Sequence, residues 1–177
     1  WALDGLQLRA EFLRHGNFQI ELLDYLDRKT NILEIGAQDV YATHVAFFSN
    51  DIERHYQAIK ARGIWFRSPP IQWNSESGST YGKDPDGNWF QLECLPIASP
   101  GGLPVDSDGF GHSHYGIVVN DLQKAMDFYC GLMGFVEVRE SERLPPDKPQ
   151  GNHMDGVHVR TKWIRLHQFQ IELVDFV

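Results

Sequence analysis

The feature that most constrains this chain is an internal repeat. Residues 4–25 lie over residues 155–176 without a gap, at an offset of 151, and ten of the 22 positions are identical. The shared block Phe18-Gln19-Ile20-Glu21-Leu22 recurs as Phe169-Gln170-Ile171-Glu172-Leu173, and Arg9 and Arg14 recur as Arg160 and Arg165. A shorter repeat sets Thr43-His44-Val45-Ala46 and Asn50-Asp51-Ile52 over Ser113-His114-Tyr115-Gly116 and Asn120-Asp121-Leu122, at an offset of 70. Units therefore recur about every 70–80 residues, and pairs of units every 151, so the fold must be built from duplicated modules.

The order within one module is legible from its turn and cap residues. His44 opens an apolar stretch, Val45 to Phe48, that reads as a strand. Asn50 or Asp51 then caps a helix with Ile52, Tyr56 and Ile59 on one face, and Gly63 stops it. A strand at Ile64-Trp65-Phe66, a turn-rich segment from Ser68 to Gly78, and two strands joined through Asp84-Pro85-Asp86-Gly87 complete the order βαβββ. Residues 112–177 repeat it, with His114 on the first strand and a helix from Asp121 carrying Leu122, Ala125 and Tyr129. The sequence thus predicts an α+β chain with residues 1–28 as the closing half of a module, 40–96 and 112–177 as complete βαβββ modules, and 97–111 as a Pro/Gly-rich linker. A 151-residue period implies a whole of four modules. With Trp1 instead of Met at its start, the chain is expected to be processed or part of something longer.

Composition removes several functional classes. With 16 Lys+Arg against 24 Asp+Glu, a net charge of −8 argues against a nucleic-acid surface. No apolar run reaches the ~18 residues of a membrane helix and no basic stretch leads into an apolar one, so no membrane partner is expected and the chain reads as cytoplasmic. Cys94 and Cys130, neither with a second Cys within a few residues, make neither a zinc knuckle nor a disulfide framework and read as buried thiols. His112, His153, His158 and His167 fit either further ligands or, as we favour, exposed loop residues, and Gly101-Gly102 lacks the Lys and Ser/Thr of a phosphate loop. Trp65, Trp73 and Trp89 read as core or as the walls of an apolar pocket, while Arg9 and Arg160 fit either a carboxylate clamp or an ion pair.

Strand alternation places Phe169, Ile171 and Leu173 on one face and Gln170 and Glu172 on the other. The same parity puts Glu21 opposite Phe18, Ile20 and Leu22, and Gln91 opposite Phe90, Leu92 and Cys94, with Glu93 one pleat further along. A histidine on each first strand and a Glu or Gln on each last strand is a metal-ligand pattern. Imidazole with carboxylate or amide oxygen suits one divalent ion such as Fe, Mn, Co, Ni or Zn.

The strand histidines, the segment DLQKAMDFYCGLMG at 121–134, the turn DPDGN at 84–88 and the strands FQIELLDY and FQIELVDF resemble the vicinal oxygen chelate superfamily of glyoxalases, bleomycin-resistance proteins and extradiol dioxygenases. The resemblance implies paired modules whose mixed sheets form an open, barrel-like cup around one divalent ion. It puts the family's first-strand ligand on His44 and His114 and its last-strand ligand on Glu21, Gln91 and Glu172. Two ligand sets follow: Glu21, His44 and Gln91 with a histidine this chain does not carry, or His44, Gln91, His114 and Glu172 from the middle and last modules, which we favour. The implied function is a metal-dependent enzyme that binds vicinal oxygens of a small substrate and stabilises an enediolate or enolate, as lyases and epimerases do, with Glu172 as ligand and catalytic base. The alternatives are Fe(II) extradiol ring cleavage and metal-free sequestration of a small apolar ligand. Because the strands at 1–28 have no helix of their own, the chain is expected to form a homo-oligomer, with those strands on a partner or on the free edge of the last module.

Overall fold

The structure is a computed structural model that describes residues 7–16, 18–26, 39, 43–95, 105–143 and 156–177. His153, Gly101-Gly102 and residues 97–104 of the expected linker lie outside the described residues. The chain begins with a hairpin, β1 (Leu8–His15) and β2 (Phe18–Tyr25), turned at Gly16 with φ +57°. The middle module follows as β3 (Thr43–Ser49), α1 (Ile52–Lys60), β4 (Trp65–Phe66), β5 (Ile71–Asn74), β6 (Ser77–Lys83) and β7 (Trp89–Cys94). The last module is β8 (Phe110–Val118), α2 (Leu122–Met126) running into a π-helical turn at Asp127–Leu132, β9 (Val136–Arg143), β10 (Val159–Leu166) and β11 (Phe169–Phe176).

Both helices start where the sequence places their caps. Asp51 accepts from the Arg54 backbone N–H at 3.1 Å and Asp121 from that of Lys124 at 3.0 Å, each satisfying a donor that the first helical turn leaves open. The segment 68–78 carries β5 where only turns were expected, because residues 71–74 fold back against β6.

One mixed sheet holds both modules, in the order β4-β6-β7-β3-β8-β11-β10-β9 with β5 on β6. Within each module the first and last strands pair in parallel, β3 with β7 and β8 with β11. The modules meet where β3 and β8 run antiparallel, so the order reads the same outward from this seam on both sides. Two-fold pseudosymmetry follows, and the sheet is open and curved. The helices cover its outer face. Ile52, Tyr56 and Leu92 cluster with Phe47 and Phe110 under α1, and Ile164, Ile171 and Leu173 pack beneath α2 residues Leu122, Ala125 and Met126. Side chains of the other parity, His44 and Glu172 among them, face the inside of the curve.

The hairpin β1–β2 stands apart as a two-stranded sheet. Its register repeats that of β10–β11 pair for pair at the 151-residue offset, from Leu8↔Tyr25 and Val159↔Phe176 to His15↔Phe18 and Leu166↔Phe169. Arg9 bonds Asp24 as Arg160 bonds Asp175, so both make the ion pair of their hairpin. The expectation that residues 1–28 pack on the free edge of the last module is not met within the chain. The hairpin's turn docks on the outer side of the seam, where Phe18 stacks on His112 at 3.8 Å between centroids and His15 bonds Asp106 at 3.0 Å. Aromatic rings there close the gap beside Phe47 and Phe110. His112 is accordingly half-buried instead of exposed, and so is His158, whereas His167 is exposed. Cys94 and Cys130 are half-buried rather than buried, and burial holds both thiols above their ordinary pKa. Trp65 is exposed, at 52%. Among the described residues no helix is long and apolar enough to cross a membrane.

Candidate metal centre

The seam sets the site. In the antiparallel register His44 lies opposite Gly116 and Ala46 opposite His114, a symmetric crossing that points both imidazoles into the curve beside each other. Large side chains at 46 and 116 would fill that space. A Cβ on Gly116 would fall 1.9 Å from His44 Cε1, so the His44 ring occupies the volume that any other residue would claim. In the parallel pairs Gln91 lies beside Ala46 and Glu172 beside Gly116, each one pleat along from its module's histidine on the same face.

Three of these side chains converge. His44 Nε2 is 3.4 Å from His114 Nε2 and 3.9 Å from Glu172 Oε2, and His114 Nε2 is 3.4 Å from the same carboxylate oxygen. Gln91 is 4% exposed, and its Oε1 is buried with no hydrogen-bond partner. An orphaned buried acceptor is costly unless something outside the chain satisfies it. Two imidazole nitrogens, a carboxylate and an amide oxygen, one of them orphaned, fit a divalent cation, and His44, His114, Glu172 and Gln91 are the residues that would hold it. Glu21 is not brought to this cluster. It sits exposed on the hairpin, whose contacts with the rest of the fold are on the outer side of the seam.

The electrostatics of the pair are unequal. Burial, reinforced by His114, lowers His44 to about 4 against the pull of Glu172 and Glu93, leaving a neutral ring with a free lone pair. Burial also opposes charge on His114, but Glu93 and Glu172 together outweigh it and raise that group to about 9. Glu93, 1% exposed, lies 3.3 Å from His114 Nδ1 and accepts a short hydrogen bond from Ser113 Oγ. A carboxylate behind the ring turns Nε2 toward Glu172 and His44, as carboxylates do behind metal-binding histidines. Glu93 is thus placed to orient His114, while Gln91 holds the register equivalent to Glu172.

Aromatic rings wall the cluster symmetrically. Tyr81 lies edge-on to His44 at 5.4 Å and Trp163 edge-on to His114 at 4.4 Å. Trp163 is 6% exposed and its Nε1 has no partner. The sequence reading gives no site role to Gly116, Ser113, Tyr81 or Trp163. The signal for the first was present in the 70-residue offset, which sets Ala46 over Gly116, two small residues each facing a histidine across the seam.

Comparison with known proteins agrees with this architecture. The profile described as Glyoxalase/Bleomycin resistance protein/Dioxygenase superfamily matches residues 3–92 and 111–173. No curated protein matches. Among solved structures, glyoxalase I from Zea mays superposes with a TM-score of 0.62 at 19% identity, over 95% of this chain and 53% of that one. Methylmalonyl-CoA epimerase from Mycobacterium tuberculosis gives 0.51 at 19% identity, over 80% and 91%. The chain thus spans about half the length of the maize protein, and at these identities the likeness is one of fold.

Proposed function

The chain belongs to the Glyoxalase/Bleomycin resistance protein/Dioxygenase superfamily, and from that membership we propose that it is a divalent-metal lyase or epimerase acting on a small substrate with vicinal oxygens. The observation that carries this reading is the convergence of His44, His114 and Glu172, with their donor atoms within 4.8 Å of one another and Gln91 on the strand beside Ala46. A divalent ion bound there would act as a Lewis acid toward a substrate carbonyl and acidify the neighbouring C–H. The chain's own residues supply the rest. Glu172, whose side chain is 14% exposed, is the carboxylate placed to take and return that proton. Glu93 and Ser113 keep His114 oriented, and the Tyr81 and Trp163 rings exclude water from the inner wall.

A second reading has its own support, because His44, His114 and Glu172 are two histidines and one carboxylate, a set that also suits Fe(II) oxygenases. One experiment separates the two. Protein loaded in turn with Zn, Co, Ni, Mn and Fe(II) is incubated without oxygen in deuterated buffer with small 2-hydroxycarbonyl and acyl-thioester substrates. Deuterium at the substrate α-carbon supports the lyase or epimerase reading. No exchange with any metal, together with Fe(II)-dependent O₂ uptake on catechols, replaces it with ring cleavage.

We further propose that the chain self-associates through the hairpin. Leu13, Ile20 and Leu22 are the repeat equivalents of Ile164, Ile171 and Leu173, which α2 buries, yet Leu13 and Leu22 are 53% and 48% exposed.

A further inference from the structure

Two arginines occupy pseudosymmetric places across the strands. In the last module Trp163 pairs with Glu172 on one side and with Arg139 on the other. In the middle module Tyr81 pairs with Gln91, and on its other side the Arg67 backbone N–H bonds Tyr81 O at 2.9 Å. Each half of the cup therefore repeats one layer across adjacent strands: a Glu or Gln, an aromatic ring, an arginine. Phe66 packs under α1, so alternation turns Arg67 to the inner face with Tyr81. The Arg139 guanidinium lies 4.3 Å from the centre of the Trp163 ring, whose other contact is His114.

Neither guanidinium has a carboxylate partner among the described residues. Arg9, Arg54, Arg160, Lys124 and Lys162, by contrast, are each paired. Both arginine side chains are exposed, so each is open to a ligand from solvent. Stacking on an indole fixes Arg139 by one face and leaves its N–H edge open, the arrangement that accepts carboxylate or phosphate oxygens in pairs. Strands about 4.8 Å apart put each arginine's backbone roughly 10 Å from the strand that carries Glu172 or Gln91.

We propose that Arg67 and Arg139 form an anion clamp, and that the substrate carries a carboxylate or phosphate several bonds from its metal-binding oxygens. This rests on the metal-enzyme reading above.

The test uses hydroxamates, which chelate through vicinal oxygens, titrated calorimetrically into metal-loaded protein. Adipic monohydroxamate adds a distal carboxylate to a chelator whose neutral counterpart is hexanohydroxamate, and 5-phosphonopentanohydroxamate replaces the carboxylate with a phosphonate. The charged ligands should bind about tenfold tighter than the neutral one, as two charge-assisted pairs at exposed guanidiniums are worth. The tighter of the two tells carboxylate from phosphate. Arg139→Gln and Arg67→Gln should each cut the preference about threefold or more without changing hexanohydroxamate affinity, while Arg62→Gln should change neither. Equal affinities in the unaltered protein, or a preference that survives in the double variant, would overturn the clamp. If no hydroxamate binds the metal-loaded protein, the metal reading fails, and adipate titrated into metal-free protein decides the clamp by itself. Adipate binding lost in the double variant upholds it, and no binding overturns it.

Discussion

A methyl group on Gly116 would lie 1.9 Å from the His44 ring, so this glycine is required by a neighbour's volume and not by its own backbone angles. Gly116→Ala should therefore displace His44, costing about 1–3 kcal/mol of stability in denaturant unfolding and weakening metal binding while far-UV circular dichroism stays native. His44→Ala removes the ring instead of moving it. Metal retained after dialysis, read by atomic emission, should show affinity lower by about tenfold or more. His167→Ala, at an exposed turn, should leave it unchanged, and equal metal content in all three proteins would remove the site assignment.

Between elements, the two copies of one hairpin differ in what surrounds them. Arg9 and Asp24 are both exposed, with side chains at 63% and 52%, whereas Asp175 is 9% exposed beneath Arg160. Removing Arg160 leaves a buried carboxylate uncompensated and should cost about 1–3 kcal/mol, against less than about 1 for Arg9→Ala, as chemical denaturation of both variants would show. The junction of α1 with the sheet carries a pH response. His55 is buried against Phe110 with its Nδ1 2.6 Å from Ser49 Oγ. Burial, then Arg54, lowers its pKa despite Asp108, Asp51 and Asp106. With the folded value below the unfolded 6.5, His55 weakens the fold only as pH drops below 6.5, where the unfolded chain takes up the proton first. His55→Gln should flatten the fall of Tm between pH 6.5 and 5 relative to the unaltered protein. Parallel Tm curves for the two would contradict this role.

For the whole molecule, the seam between β3 and β8 makes one continuous sheet from two modules, and among the described residues the remaining hairpin meets it at its turn. Leu8, Phe12, Leu13, Leu22, Leu23 and Leu26 are each 45–59% exposed along it. Apolar strands with open edges associate in water. Sedimentation velocity at micromolar concentration should show a dimer, and Leu22→Glu should return it to a monomer. A monomer in both cases would leave the hairpin without a role in assembly.

The module order, both helix caps, the faces of β7 and β11 and the equivalence of His44 with His114 were legible because each depends on local chemistry or on residues that recur at a constant offset. Asp51 and Asp121 cap helices through their own following backbone, and strand parity is set by neighbours two residues away. The expectation of a cup built from the middle and last modules also followed from the repeat. Glu21 shows where that logic stops. It is identical in sequence context and pairing register to Glu172, yet it is exposed on a free hairpin while Glu172 lies beside two histidines. A repeat specifies which strand a residue belongs to, but the strand laid next to it comes from elsewhere in the chain. Only tertiary structure supplies β8 beside β11, brings Glu93 behind His114 from 21 residues earlier, and stacks Arg139 on Trp163. Those contacts depend on long-range registers, and no local preference in the sequence encodes them.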